Sequence, residues 1–129
     1  MHKVQALHNF WGQFGVPAYN QNSVPTEEQF KDMGKKPYPR ITYEVETDNF
    51  GNTVVLTASL WDRSTSYDNL YRLLDLIALK VTRGGITIPC DGGAIHIDRG
   101  VPFQQEMSDP DDSIKRLVLN VEVDFDTEV

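Results

Sequence analysis

The stretch "PRITYEVETDNFGNTVVLTASLWDRSTS", Pro39 to Ser66, decides the fold. Ile41, Tyr43 and Val45 alternate with Arg40, Thr42, Glu44 and Glu46. Val54, Leu56, Ala58 and Leu60 alternate with Val55, Thr57, Ser59 and Trp61. A period of two marks strands buried on one face only. The intervening "TDNFGN" supplies Asn and Gly, which adopt turn geometry at little cost. The segment therefore predicts a hairpin, with strands at about Arg40–Glu46 and Thr53–Trp61. One face is apolar and the other is mostly hydroxyl and acid. Ser64, Thr65 and Ser66 then offer N-cap hydroxyls to a following helix.

That helix is predicted from about Tyr67 to Thr82. Leu70, Leu73, Leu74, Ile77 and Val81 form one apolar stripe at helical spacing. Asp68 suits its start, Lys80 and Arg83 its end, and Gly84-Gly85 stops it. "GITIP" and "AIHID" flank "CDGG", where Asp91-Gly92 predicts a tight hairpin turn. "RGVPFQQEMSDPDDS", residues 99–113, reads as a loop. In "IKRLVLNVEVDF", Leu117, Leu119, Val121, Val123 and Phe125 share one face. Arg116, Asn120, Glu122 and Asp124 share the other, with Val118 among them. This strand is buried on one side.

Upstream, Val4, Leu7, Trp11 and Phe14 predict a helix at about His2 to Phe14, stopped by Gly15. Residues 15–39 hold four of the seven prolines and read as an irregular arm. A short strand or a turn of helix near Thr26 to Lys31 interrupts it. The expected order is αββαβββ, an α+β fold. An antiparallel sheet of about five strands carries two helices on one face. At 129 residues the chain is read as a single domain, 1–129, that buries a core without covalent staples.

Composition narrows the function classes. Forty per cent hydrophobic and 24 per cent charged residues describe an ordinary globular chain. No apolar run has the roughly 20 residues of a membrane span. The N-terminal segment lacks an apolar signal-peptide core, so the expected compartment is the cytosol. Cys90 is the one cysteine and fits a reducing compartment. Nineteen acids against 12 bases, net −7, leave no electrostatic footprint for binding phosphate backbones. Lys31, Lys35, Lys36 and Arg40 form a small basic stretch, read as a solvated loop or subunit contact.

No catalytic constellation emerges. His2, His8 and His96 have no metal-ligand spacing. Cys90 with His96 across the hairpin would be a nucleophile with neither pocket nor oxyanion hole, and a lone thiol is the plainer reading. The glycine pairs follow a helix or turn a hairpin, where phosphate cradles precede a helix. "DPDDS", Asp109 to Ser113, lacks the alternating ligands and central Gly of a calcium loop. No cofactor, metal or enzymatic activity is expected. Trp61, on the polar face, is either an interface anchor or a strand-end residue covered by its own chain.

"FGVPAY" (14–19), "YPRITYEV" (38–45), "TASLWDRSTS" (57–66) and "GGITIPCDGGAIHIDRG" (84–100) carry a resemblance by their joint order. They are similar to the tail terminator, or tail completion, proteins of long-tailed bacteriophages and prophages. The similarity runs from about Phe14 to Phe125, with Gln21 to Pro37 outside it. The resemblance implies a structural virion subunit forming a homo-hexameric ring. The ring caps the head-proximal end of the tail tube, ends its polymerisation and meets the head-completion connector protein. Genomic DNA passes the lumen without specific binding. Assembly takes place in the host cytoplasm, and no membrane is involved.

Two consequences follow for this chain. Glu44, Glu46, Glu122 and Asp124 are candidates for an acidic lining or border of the DNA channel, since like charge discourages phosphate contacts. Tyr19, Phe30, Tyr38, Trp61, Phe103 and Met107 are candidates for subunit or partner contacts, roughly half of the loop aromatics folding back on their own domain. Two other readings stay open. One is a head-closure or neck protein between portal and tail. The other is a small cytosolic domain that binds a ligand or peptide.

Overall fold

A computed structural model describes residues 1–129. Its elements are α1 (Lys3–Trp11), β1 (Ala18–Asn20), α2 (Glu27–Asp32), β2 (Arg40–Tyr43), β3 (Asn52–Arg63), α3 (Asp68–Lys80), β4 (Ile86–Cys90), β5 (Gly93–Met107) and β6 (Ile114–Thr127). One sheet has the strand order β1-β2-β3-β6-β5-β4. All neighbours pair antiparallel except β1 and β2 at the edge, which run parallel. The α+β class stands. The order is αβαββαβββ, not αββαβββ, with six strands and three helices.

Each difference has a local cause. The arm is ordered at two points. Ala18–Asn20 pairs with Ile41–Tyr43, and Thr26 and Gln29 form a reciprocal capping box that starts α2. The expected loop after Arg99 is mostly strand. Beyond a register break between Arg99 and Gln104, β5 resumes along β6 as far as Met107. Gly100, Pro102 and the fully exposed Val101 sit in that bulge. β2 ends at Tyr43, short of the expected Glu46. From there the chain leaves β3, and the Phe50-Gly51 turn donates its amides to β6 at Thr127 and Phe125. The helix after β3 starts at Asp68 without a side-chain cap; Ser66 Oγ only accepts a long bond from the Asp68 amide.

The core lies on one side of the sheet. Leu117, Leu119, Val121, Val123 and Phe125 of β6 are buried there beside Leu56, Ala58 and Leu60 of β3 and Ile95 and Ile97 of β5. Burying side chains of this size contributes roughly 1.5–3 kcal/mol each. α3 lays Leu70, Leu73, Leu74 and Ile77 on β3 and β6. α1 contributes Ala6, Leu7, Phe10 and Trp11, and it touches both edge strands, β1 and β4. The sheet therefore curls around α1. Lys3 is buried at 5% exposure, donates from Nζ to Asp48 O at 2.7 Å, and lies over the Phe125 ring. α2 stands outside this layer.

Candidate functional site: the uncovered sheet face

On the opposite face α2 lies only at the β1–β2 edge, where Phe30 meets Tyr19 and Arg40; no helix packs there on β3, β6 and β5. Period-two alternation sends every second residue of β3, β5 and β6 there, and the pairing register arranges them in rows. One end holds the row Arg40–Trp61–Arg116–Met107. Next comes Thr42–Ser59–Val118–Gln105, then Thr57–Asn120 with Glu44 beside Thr57. The far end holds Val55–Glu122–Asp98 and Thr53–Asp124–His96–Thr87. The face is polarised along its strands, basic and aromatic at one end and acidic at the other.

The basic end is a stack of cations on rings. The Arg116 guanidinium lies 4.6 Å from the Trp61 ring centroid, and Nε and Nη2 both donate to Ser59 Oγ. Arg40 sits among Tyr38 at 4.7 Å, Trp61 at 5.7 Å and Phe30 at 5.9 Å. Arg40 Nε is buried without a hydrogen-bond partner. Arg63 lies over Tyr38 at 5.3 Å, with Asp111 at 3.8 Å. Neither Arg40 nor Arg116 has a carboxylate within salt-bridge distance. Trp61 Nε1 donates to Thr42 Oγ1 at 3.0 Å. These contacts orient the indole and guanidinium planes together.

At the acidic end the Thr53 hydroxyl donates to Asp124. His96 Nε2 lies 2.9 Å from Gly84 O and 3.3 Å from Asp98 Oδ2, and its Nδ1 meets Thr87 Oγ1 at 2.7 Å. On the helix side Arg99 donates to Val81 O at 2.6 Å and Ala78 O at 2.7 Å, closing the end of α3. A polar cleft of about 480 Å³ opens here among Thr82, Arg83, Gly84, Asp98, Arg99 and Glu122.

The expected acids separate. Glu122 and Asp124 share the acidic end, and Glu44 lies mid-face with Oε1 accepting from the Thr57 amide. Glu46 is a correction: it lies beyond the end of β2, in the loop, because the chain leaves β3 after Glu44. Arg40 and Arg116, which the alternation puts on the same face, occupy its other end. Arg40 is the first residue of β2, where the alternation placed the start of the strand.

The expected contact residues divide by cover. Phe30 is a correction: at 1% exposure it is buried within its own chain, edge-on to Tyr19 at 5.8 Å. Tyr19 is half-buried beside it, and Tyr38 is half-buried under Arg40 and Arg63. Phe103 is half-buried under the Arg99 guanidinium at 5.0 Å. Trp61 is half-buried, whereas Met107 at the strand end is exposed.

The titratable groups do not converge. His2 caps α1 through Nδ1, His8 pairs with the Tyr43 hydroxyl, and His96 sits on β5. No three His, Cys, Asp or Glu side chains are grouped to hold a metal ion. Cys90 pairs across the hairpin with Gly93, whereas His96 faces Thr87. Burial, and then Asp91, push the Cys90 thiol up, which keeps it protonated and a poor nucleophile. Burial also raises the Tyr43 phenol. The largest groove, about 570 Å³, runs between α1 and β4 over Ala6, Phe10, Ile86 and Ile88. Its polar lining is amide, hydroxyl and one lysine, with no carboxylate.

Comparison with the models of known protein families and with curated proteins finds no match.

Proposed function

We propose that this chain is a structural subunit of a long-tailed phage or prophage particle, acting as the tail terminator. Subunits assemble into a ring at the head-proximal end of the tail tube. There the ring ends polymerisation, meets the head connector and lets DNA through. One observation carries the reading. Three long strands, β3, β5 and β6, present a whole sheet face with no helix upon it. An uncovered face built of oriented cation–aromatic and acidic rows suits contacts with neighbouring molecules. The four segments of the resemblance support it from the sequence, since they form the α1–β1 junction, β2, the second half of β3 and the β4–β5 hairpin.

Electron microscopy of lysates in which this chain is not made tests the reading. The expected result is unattached tails of irregular, excessive length, restored to uniform length when the chain is supplied. Tails of normal length joined to heads overturn it. Normal-length tails that fail to join heads support the neck reading instead.

A further inference from the structure

β4 is a free edge of the sheet, since only β5 pairs with it. Its register fixes which backbone groups are spare. Cys90 and Gly93 close the two-residue Asp91-Gly92 turn. That pair and every second pair after it exchange the hydrogen bonds. Thr87 and Pro89 therefore turn their backbone groups away from β5. Pro89 has no N–H to leave unpaired, as suits an edge. Thr87 N–H, Thr87 C=O and Pro89 C=O find no backbone partner outside the sheet. The next outward amide, that of Asp91, already donates to Met1 O at 2.7 Å. Beside this edge runs the groove of about 570 Å³. Ala6 and Phe10 of α1 and the half-buried Ile86 and Ile88 form its floor. Lys80 is the one charged side chain in its lining, is exposed, and has no carboxylate within salt-bridge distance.

We infer that this groove takes the extended C-terminal tail of another protein, which adds antiparallel to β4 as a further strand and sets its terminal carboxylate on Lys80. Spare N–H and C=O groups along an edge are answered in register by an extended backbone. A helix or a compact small molecule leaves them unmet. β4 offers about 17 Å of edge at ~3.3 Å per residue, room for about five residues. Side chains of the added strand alternate. The residue opposite Thr87 faces away from the helices, and its two neighbours point into the groove over Phe10, Ile86 and Ile88, so those two are apolar. Direction follows from charge. Lys80 ends α3, and a short turn closed by Gly85 N–H to Thr82 O leads into Ile86, so Lys80 stands at the start of β4. Met1, bonded to Asp91, marks the other end. An antiparallel strand finishes at the Ile86 side and brings its terminus to the cation. Arg99 already answers the carbonyls at the end of α3, Ala78 O and Val81 O, which leaves Lys80 free. A second copy fits less well, because two β4 edges face to face set Pro89, without a donor, on both sides.

Titration of the isotope-labelled chain with a defined peptide, followed by amide NMR, tests it. The probe is acetyl-Thr-Val-Thr-Val-Thr-Val with a free carboxylate, raised to millimolar concentration. The expected result is saturable shifts of the Ile86, Thr87 and Ile88 amides, with β3 left unmoved. The same peptide ending in an amide binds about tenfold more weakly. Methylating the backbone nitrogen of its last threonine removes the donor to Thr87 C=O and costs about tenfold as well. Lys80→Gln, a change at an exposed position, lowers the free acid to the affinity of the amide and leaves the amide's own affinity as it was.

Absence of saturable shifts at β4 overturns the inference. So does equal affinity for the acid and the amide, or a preference for the acid that survives in Lys80→Gln. Equal binding of the methylated peptide makes the groove a merely greasy surface and overturns it too. A chain that dimerises without peptide and protects its β4 amides in doing so gives the edge to a second copy, which is likewise fatal. Peptide binding is read on the purified chain and tail length in lysates, so this inference and the phage reading fail independently.

Discussion

The guanidinium of Arg116 is held 4.6 Å from the Trp61 ring centroid by a single oxygen, the hydroxyl of Ser59, to which Nε and Nη2 both donate. Ser59 is itself buried. Replacing Arg116 by Met keeps most of the stem packing but removes the charge on the ring and both donors to Ser59. The expected loss is about 1–2 kcal/mol. Combined with Trp61→Leu, the double-mutant cycle returns a coupling of roughly 0.5–2 kcal/mol. Urea midpoints measure both, and additive losses would show that the stack is not energetically coupled.

Lys3 tethers α1 to the turn after β2. Its Nζ donates to Asp48 O and, at 3.3 Å, to Asn49 Oδ1. Lys3→Met retains the aliphatic stem over Phe125 but leaves those acceptors without their donor. The expected destabilisation is about 1–3 kcal/mol. Amide exchange should quicken around residues 48–52 more than in β5. Uniform acceleration would argue against a local tether.

Arg99 closes the α3 helix from a neighbouring strand. It bonds Val81 O and Ala78 O, carbonyls that the helix leaves open at its end. Arg99→Ala is expected to cost about 1–2 kcal/mol, while Arg99→Lys keeps part of it. Faster amide exchange over residues 77–81 is the signature that separates loss of the cap from loss of packing on Phe103.

Asp111 provides a pH test. The Ser113 hydroxyl and then its amide donate to the carboxylate, at 2.7 and 2.9 Å, and hold its pKa below the ordinary 3.8. A depressed folded value means a contribution present above the unfolded pKa and lost as pH falls through the folded one. Because Asp111 is exposed, carboxyl NMR titration is the sensitive readout. Ser113→Ala should raise its midpoint toward 3.8; an unchanged midpoint would show that Ser113 is not the cause.

The long strands were legible wherever alternation was uninterrupted. β6 and the second half of β3 read directly from Leu117–Phe125 and Leu56–Leu60. β1 was not legible, because three residues are too few to show a period and its register depends on Ile41–Tyr43. The far half of β5 was hidden by Gly100 and Pro102, which read as loop residues and in fact occupy a bulge. Phe30 looked like a loose loop aromatic because no local pattern revealed Tyr19 beside it.

The candidate site was legible in its acids and in Trp61, but not as a row. Arg40, Trp61 and Arg116 lie far apart in the chain, and only the pairing of β2, β3 and β6 brings them into one row. The alternation of each strand placed them on the same face, but the offset between strands was unknown. Without that offset the face read as mostly hydroxyl and acid with scattered arginines, and its polarity along the strands was invisible.

The contacts of α1 with both β1 and β4 carry a consequence for how the molecule is made. α1 precedes every other element described in the chain, yet it also seats on β4, residues 86–90. Leu7, Phe10 and Trp11 therefore have no complete partner surface until β4 is present. Such sequence-distant closure slows folding, and it makes α1 a latch that cannot fasten before β4 is in place.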